Sequence, residues 1–141
     1  MQTAPRPAII VDTNVFVAAG FNPESHSARL LDAVRARRLR MLWNGGTRRE
    51  IERILRQIPR LSWEDVAPLF REENRFQGDT HPDQFEYVPD PADRKFAALA
   101  DAAGAPLVTS DQDLLQARAR ARVPIFTPAE YVRGCPEALS G

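Results

Sequence analysis

Four short apolar runs, residues 8–11, 41–43, 106–109 and 123–126, alternate along the chain with longer segments of helical character. This alternation constrains the fold more than any other feature. Strands separated by helices return across a sheet in the same direction, and each crossover helix then covers one face. The pattern therefore predicts a three-layer α/β/α sandwich around a central, mainly parallel sheet. With 141 residues, 43% of them apolar, the chain has enough material for one core and too little for two, so residues 1–141 are read as a single domain.

The local signals are uneven. Ala8, Ile9, Ile10 and Val11 form a β-branched run that stops at the polar Asp12, Thr13 and Asn14, which reads as a buried strand ending in a turn. A helix capped by Ser25 or Ser27 should follow, with Leu30, Leu31 and Val34 on one face. The clearest helix is predicted from Thr47 to about Ile58, where Ile51, Ile54, Leu55 and Ile58 recur at helical spacing. Another is expected from Ser62, disturbed by Pro68, whereas residues 72–89 show no period. Asp90 and Pro91 open a helix with Phe96, Leu99, Ala100 and Ala103 inward and Gly104 at its end. A helix from Asp111 to about Arg118 and a capping box at Thr127 to Glu130 complete the chain.

In a parallel sheet, ligands bind along the edge formed by the carboxyl ends of the strands. Four acids map to that edge: Asp12 after the first strand, Glu50 early in the helix after the second, Asp93 in the first turn of the helix before the third, and Asp111 directly after the third. Two carboxylates about 4 Å apart repel by roughly 4 kcal/mol at an effective dielectric near 20, so such a cluster must protonate, spread apart or bind a cation. All-oxygen ligands favour Mg²⁺ or Mn²⁺. Such an ion lowers the pKa of water and neutralises a developing oxyanion, as phosphodiester hydrolysis requires. Each acid also has a blander reading. Asp12 could be a turn residue, Asp93 and Asp111 could serve helix N-termini, and Glu50 could close a capping box with Thr47. Glu52 is an alternative to Glu50, since the two flank the apolar face of their helix almost symmetrically.

Nineteen Lys and Arg balance nineteen Asp and Glu, so nucleic-acid binding through bulk charge is excluded and any such binding must be local. The balance hides an asymmetry: residues 1–60 carry eleven basic and five acidic side chains, residues 61–115 four and twelve. Arg48, Arg49, Arg94 and Lys95 adjoin the acidic edge and are candidates for holding phosphates, whereas Arg35 to Arg40 and Arg118 to Arg122 should lie on the opposite edge. Phe76, His81, Phe85 and Tyr87 in the irregular stretch either anchor it to the core or form a base-stacking lid. A single cysteine, Cys135, excludes an internal disulfide and a cysteine-rich zinc site, and His26 and His81 make no ligand cluster. Residues 8–21, the most apolar stretch, are too short for a membrane span, so a soluble cytoplasmic protein is expected.

At these residues the chain resembles the PIN-domain nucleases, in particular the bacterial branch of VapC-like toxins. The matching blocks are Ile9-Ile10-Val11-Asp12-Thr13-Asn14-Val15, Glu50-Ile51-Glu52-Arg53-Ile54-Leu55, Asp90-Pro91-Ala92-Asp93-Arg94-Lys95-Phe96, the run from Leu107 to Leu115, and the run from Val123 to Glu130. The resemblance implies hydrolytic cleavage of single-stranded or structured RNA with Mg²⁺ or Mn²⁺ held by Asp12, Glu50, Asp93 and Asp111. It also implies that Asn14 and Thr109 hydrogen-bond the carboxylates, with Asp113 as an outer ligand through water. A cognate antitoxin and a homodimer are the partners it suggests, with no membrane.

Competing chemistries fit less well. An aspartyl-nucleophile phosphatase wants a second acid two residues after Asp12, where Asn14 stands, and a phospho-accepting receiver wants a late lysine, whereas Lys95 is the only one. Neither a Gly-Lys-Ser/Thr phosphate loop nor Gly-x-Ser-x-Gly occurs. The remaining rivals are a PIN-like module that binds RNA or protein without cutting, and an RNA-processing nuclease unrelated to toxins.

Overall fold

Strand β1, Ala8–Val11, lies inside a four-stranded sheet whose order is β2-β1-β3-β4, with β2 at Arg40–Met41, β3 at Leu107–Val108 and β4 at Ile125–Phe126. Every pairing is parallel. The computed structural model describes residues 6–135, and the expected domain span of 1–141 extends beyond them at both ends. Ile9, Ile10 and Val11 are buried with Leu107 and Val108, as a strand covered on both faces requires. Among the described residues no helix is long and apolar enough to cross a membrane.

Among the described residues seven helices connect and flank the strands: α1 Thr13–Phe21, α2 His26–Arg35, α3 Gly45–Arg56, α4 Trp63–Val66, α5 Pro91–Ala103, α6 Gln112–Gln116 and α7 Pro128–Gly134. The chain steps one way from β1 to β2 and the other way from β2 to β3. Right-handed crossovers therefore carry α2 and α5 over opposite faces. Accordingly α2 packs with α1 and α7, while α5 packs on β1 and β3. The result is the three-layer α/β/α arrangement expected from the alternation.

Two local readings need correction. The polar turn expected at Asp12 to Asn14 is instead the start of α1, with Asp12 as its N-cap residue. This helix left little periodic signal because TNVFVAAGF is apolar nearly all round. Ser25 does cap α2, accepting the Ala28 N–H at 3.0 Å. Helix α3 begins at Gly45 rather than Thr47, because Asn44 and Thr47 form the capping box: Thr47 N–H donates to Asn44 Oδ1 at 2.9 Å and Asn44 N–H to Thr47 Oγ1 at 3.1 Å. Glu50 has no part in that box. The helix expected from Ser62 with a disturbance at Pro68 is present: it lasts one turn, and Pro68 falls in a 3₁₀ turn, Ala67–Leu69, that replaces its continuation.

The segment between Phe70 and Asp90 contains only short 3₁₀ turns. It is fastened at both ends. Trp43 N–H donates to the Asn74 carbonyl and Phe76 N–H to the Trp43 carbonyl, extending the sheet edge by one bridge beyond β2. At the other end Phe85 and Val88 are buried. Phe85 is thus an anchor rather than an exposed stacking platform. Tyr87 is half-buried beneath the Arg120 guanidinium, 4.6 Å from its ring centroid.

The charge asymmetry of the sequence has a partial structural use. Arg37 pairs with Glu73 at 2.8 Å and Arg56 with Glu64 at 3.5 Å, joining the basic first part of the chain to the acidic middle. Arg118 and Arg122 are paired with Glu130 and Asp101.

Candidate metal centre

Asp12, Asp93, Asp111 and Asp113 come to the carboxyl edge of the sheet from three different elements. β1 delivers Asp12 at its end, where the side chain is only 2% exposed. β3 leads into Thr109, which is fully buried and whose hydroxyl donates to Asp12 Oδ2 at 2.7 Å. The same Thr109 oxygen accepts the Asp111 N–H at 3.0 Å, so one threonine fixes two aspartates relative to each other.

Asp111 is the N-cap residue of α6. Its Oδ1 accepts the N–H groups of Asp113 and Leu114 at 2.9 and 3.2 Å. The capping reading of Asp111 is therefore correct for one oxygen, while the other makes no hydrogen bond to the described residues. At the start of α5 a different acid does the capping: Asp90 Oδ1 accepts the Ala92 N–H at 3.0 Å. That frees Asp93 in the first turn, and its Oδ2 is buried without a hydrogen-bond partner among the described residues.

One carboxylate oxygen each of Asp93, Asp111 and Asp113 lie within 4.8 Å of one another. Two oxygens on one octahedral Mg²⁺ stand about 2.9 Å apart when adjacent and about 4.1 Å when opposite, given ligand distances of about 2.0 to 2.1 Å. Three ligands include at most one opposite pair, so drawing the oxygens together by at most about 2 Å would complete the separations an ion needs. The orphaned Asp93 Oδ2 is a ligand atom in want of a cation, so the residues present fit a divalent metal. Asp12 stands outside this mutual spacing yet remains coupled to it. Its charge helps raise the pKa of Asp93.

Electrostatics at the edge follow from this crowding. Burial pushes the Asp93 carboxyl up to about 7, with the charges of Asp111, Asp12, Asp90 and Asp113 acting in the same direction. Burial likewise pushes Asp12 up to about 6, opposed by the Thr109 hydroxyl and the backbone amides of Thr13 and Asn14. Asn14 contributes through that amide; its exposed side chain bonds to no described residue, contrary to the expected contact with a carboxylate. The neighbouring Thr13 Oγ1 is a second buried atom without a partner among the described residues.

Glu50 does not join the three close oxygens. It lies at the contact between α3 and α5, its side chain 12% exposed, paired with Arg53 at 2.8 Å and Lys95 at 3.8 Å. Glu52 is paired with Arg56, so of the two glutamates Glu50 is the one tied to the helix bearing Asp93. Two of the four basic candidates are thereby engaged. Lys95 faces Glu50, and Arg94 donates to the carbonyls of Val88 and Pro89 at 2.8 and 3.5 Å, securing the loop before α5. Arg48 lies over the rings of Trp63 and Phe70, and Arg49 is exposed.

Asp113, expected as an outer ligand through water, brings a carboxylate oxygen within 4.8 Å of those of Asp93 and Asp111. The signal was present: Asp111 and Asp113, two positions apart at a helix start, fall on the N-cap and the first turn, where both can face the same end of the helix. Glycine, proline and period gave no comparable hint.

The fold and site together define an α/β domain with a carboxylate cluster fit for a divalent cation at the carboxyl edge of a parallel sheet. A family model described as PIN domain matches residues 8–113, and the chain belongs to the PIN-domain family, a family of metal-dependent nucleases. The crystal structure of PAE2754 from Pyrobaculum aerophilum is similar in fold, with a TM-score of 0.55 and 20% identity over 90% of this chain and 96% of that one. No curated protein matches the chain.

Proposed function

We propose that this chain is a metal-dependent endoribonuclease that hydrolyses phosphodiester bonds of single-stranded RNA. The observation that carries the reading is the convergence of Asp93, Asp111 and Asp113 within 4.8 Å, with a buried Asp93 oxygen left unpartnered. These three would hold the ion, Mg²⁺ or Mn²⁺, with Asp12 adding negative charge from below the surface. When bound, such an ion supplies Lewis acidity to a phosphate oxygen and to the attacking water.

The chain's own residues do the positioning. Thr109 holds Asp12 and the backbone of Asp111 in one frame. The α6 amides fix one Asp111 oxygen and leave the other free to bind. Glu50, paired with Arg53 and Lys95, adds a fifth acid at the contact between α3 and α5.

The test is cleavage of end-labelled single-stranded RNA by the purified protein with Mn²⁺, Mg²⁺ or EDTA, beside Asp93→Asn. Cleavage that needs both metal and Asp93 supports the reading. Folded protein that binds RNA and leaves it intact with every metal would point to a non-catalytic module instead. The narrower role, a toxin component working as a homodimer under a cognate antitoxin, rests on the order of the sequence blocks that resemble VapC-like toxins. Growth arrest on expression, relieved by a co-encoded partner and abolished by Asp93→Asn, is its expected signature; growth unaffected by an enzyme active on RNA would place the chain among housekeeping nucleases.

A further inference from the structure

Across the sheet edge from the acids, a hollow of about 390 Å³ is lined by Trp43, Gly45, Arg48, Arg49, Phe70 and Arg75, with Glu72 at its margin. It lies on the same edge as the aspartates. The pairing of Ile9 with Met41, continued two residues along both strands, sets Trp43 level with Val11. Two strand spacings, roughly 10 Å, separate this position from the end of β3.

Three guanidinium groups meet there, against one lining carboxylate. Glu72 pairs with Arg75 at 3.3 Å, whereas Arg48 and Arg49 make no ion pair or side-chain hydrogen bond among the described residues. Aromatic rings hold two of the three in place: Arg48 lies 5.2 Å from the Trp63 centroid and 6.0 Å from that of Phe70, and Arg75 lies 5.5 Å from that of Trp43. Stacking of this kind occupies the flat face of a guanidinium and leaves the N–H donors at its rim available.

The rings themselves are poor platforms for bases. Trp43 is 6% exposed and Phe70 9%, and the arginines already lie over them. What the hollow offers a ligand is therefore a set of charged N–H donors rather than aromatic surface. Backbone phosphate is the matching chemistry, since it needs charge and bidentate donors and carries no base identity.

We infer that Arg48, Arg49 and Arg75 form a phosphate subsite that grips the backbone of a single-stranded RNA running past the aspartates, without regard to base. The inference rests on the nuclease reading for its ligand. What it adds is the location of the grip and its indifference to sequence.

The experiment measures binding of fluorescent rU12 and rA12 by anisotropy, in EDTA and on the Asp93→Asn background, so that cleavage plays no part. Arg49→Gln, which breaks no ion pair or side-chain hydrogen bond of the described residues, Arg48→Gln and Arg75→Gln are compared with Arg29→Gln, an exposed arginine of α2 outside the hollow. The expected result is a Kd raised about 3- to 10-fold by each hollow variant, equally for both oligomers. The salt slope should fall by about 0.7 for each phosphate that the protein ceases to neutralise, and Arg29→Gln should change nothing. An affinity and slope unaltered in Arg49→Gln and in folded Arg48→Gln, or no binding by the parent protein at low salt, overturns the subsite. So does a loss confined to one oligomer. Binding that depends on the arginines in a protein that cuts no RNA would leave the subsite standing and bring down the nuclease reading.

Discussion

Thr109 is the residue on which the geometry of the acids most depends. Its hydroxyl donates to Asp12 and accepts from the Asp111 amide, in a position with no access to solvent. Thr109→Val keeps the shape and removes both bonds. Because it takes one hydrogen bond from a buried carboxylate and leaves the Asp111 N–H without its acceptor, the expected loss is about 1 to 3 kcal/mol of stability in denaturant unfolding, together with about 10-fold weaker binding of Mn²⁺. Thr109→Ser should restore most of both. If Thr109→Val bound metal as tightly as the parent, the hydroxyl would be only a packing group.

At the scale of elements, the instructive case is α3. Its Ile51 and Leu55 spacing was legible from the sequence, and its start was not, because Asn44 followed by two glycines looks like a loop and the cap lies on the far side of them. Asn44→Ala should therefore lower stability by about 1 kcal/mol, seen as a reduced midpoint in urea; no change would mean that Thr47 alone holds the helix end. The same element shows why Glu50 was ambiguous. Helical angle places it beside the apolar face, and only the tertiary approach of α5 decides that its partner is Lys95. Helix α1 was hidden for the opposite reason: an all-apolar segment has no period to read, although its first residue follows an aspartate that the alternation had already placed at the strand end. Asp12, Asp93 and Asp111 could be mapped to one edge because strand direction and helix order suffice for that. The closeness of Asp113 and the engagement of Arg94 depend on side-chain directions that no spacing encodes.

For the whole molecule, the crowded acids make stability depend on pH in an unusual sense. An aspartate ordinarily titrates near 3.8; in the folded chain Asp93 does so at about 7 and Asp12 at about 6. Between those values the folded state holds protons that the unfolded chain has released. These two groups therefore make stability fall as pH rises from about 4 to 7, after which their effect levels off. Thermal unfolding without metal should show Asp93→Asn gaining several degrees over the parent at pH 8 and little at pH 4. Adding Mg²⁺ or Mn²⁺ should raise the melting temperature of the parent at pH 8 far more than at pH 5, and should do little for Asp93→Asn. A difference between parent and variant that stayed constant from pH 4 to 8 would mean that Asp93 is not held among like charges.

The hydrogen bond from Thr109 to Asp12 spans 97 residues, and β1 can pair with β3 only after that whole length exists. A ribosome building this chain therefore makes Asp12 early and leaves it idle for most of synthesis. A polypeptide cut short before Asp111 carries Asp12 and Asp93 and lacks two of the three clustered carboxylates. On the proposed reading the carboxylate site is therefore completed late in synthesis, once the residues that follow the third strand exist.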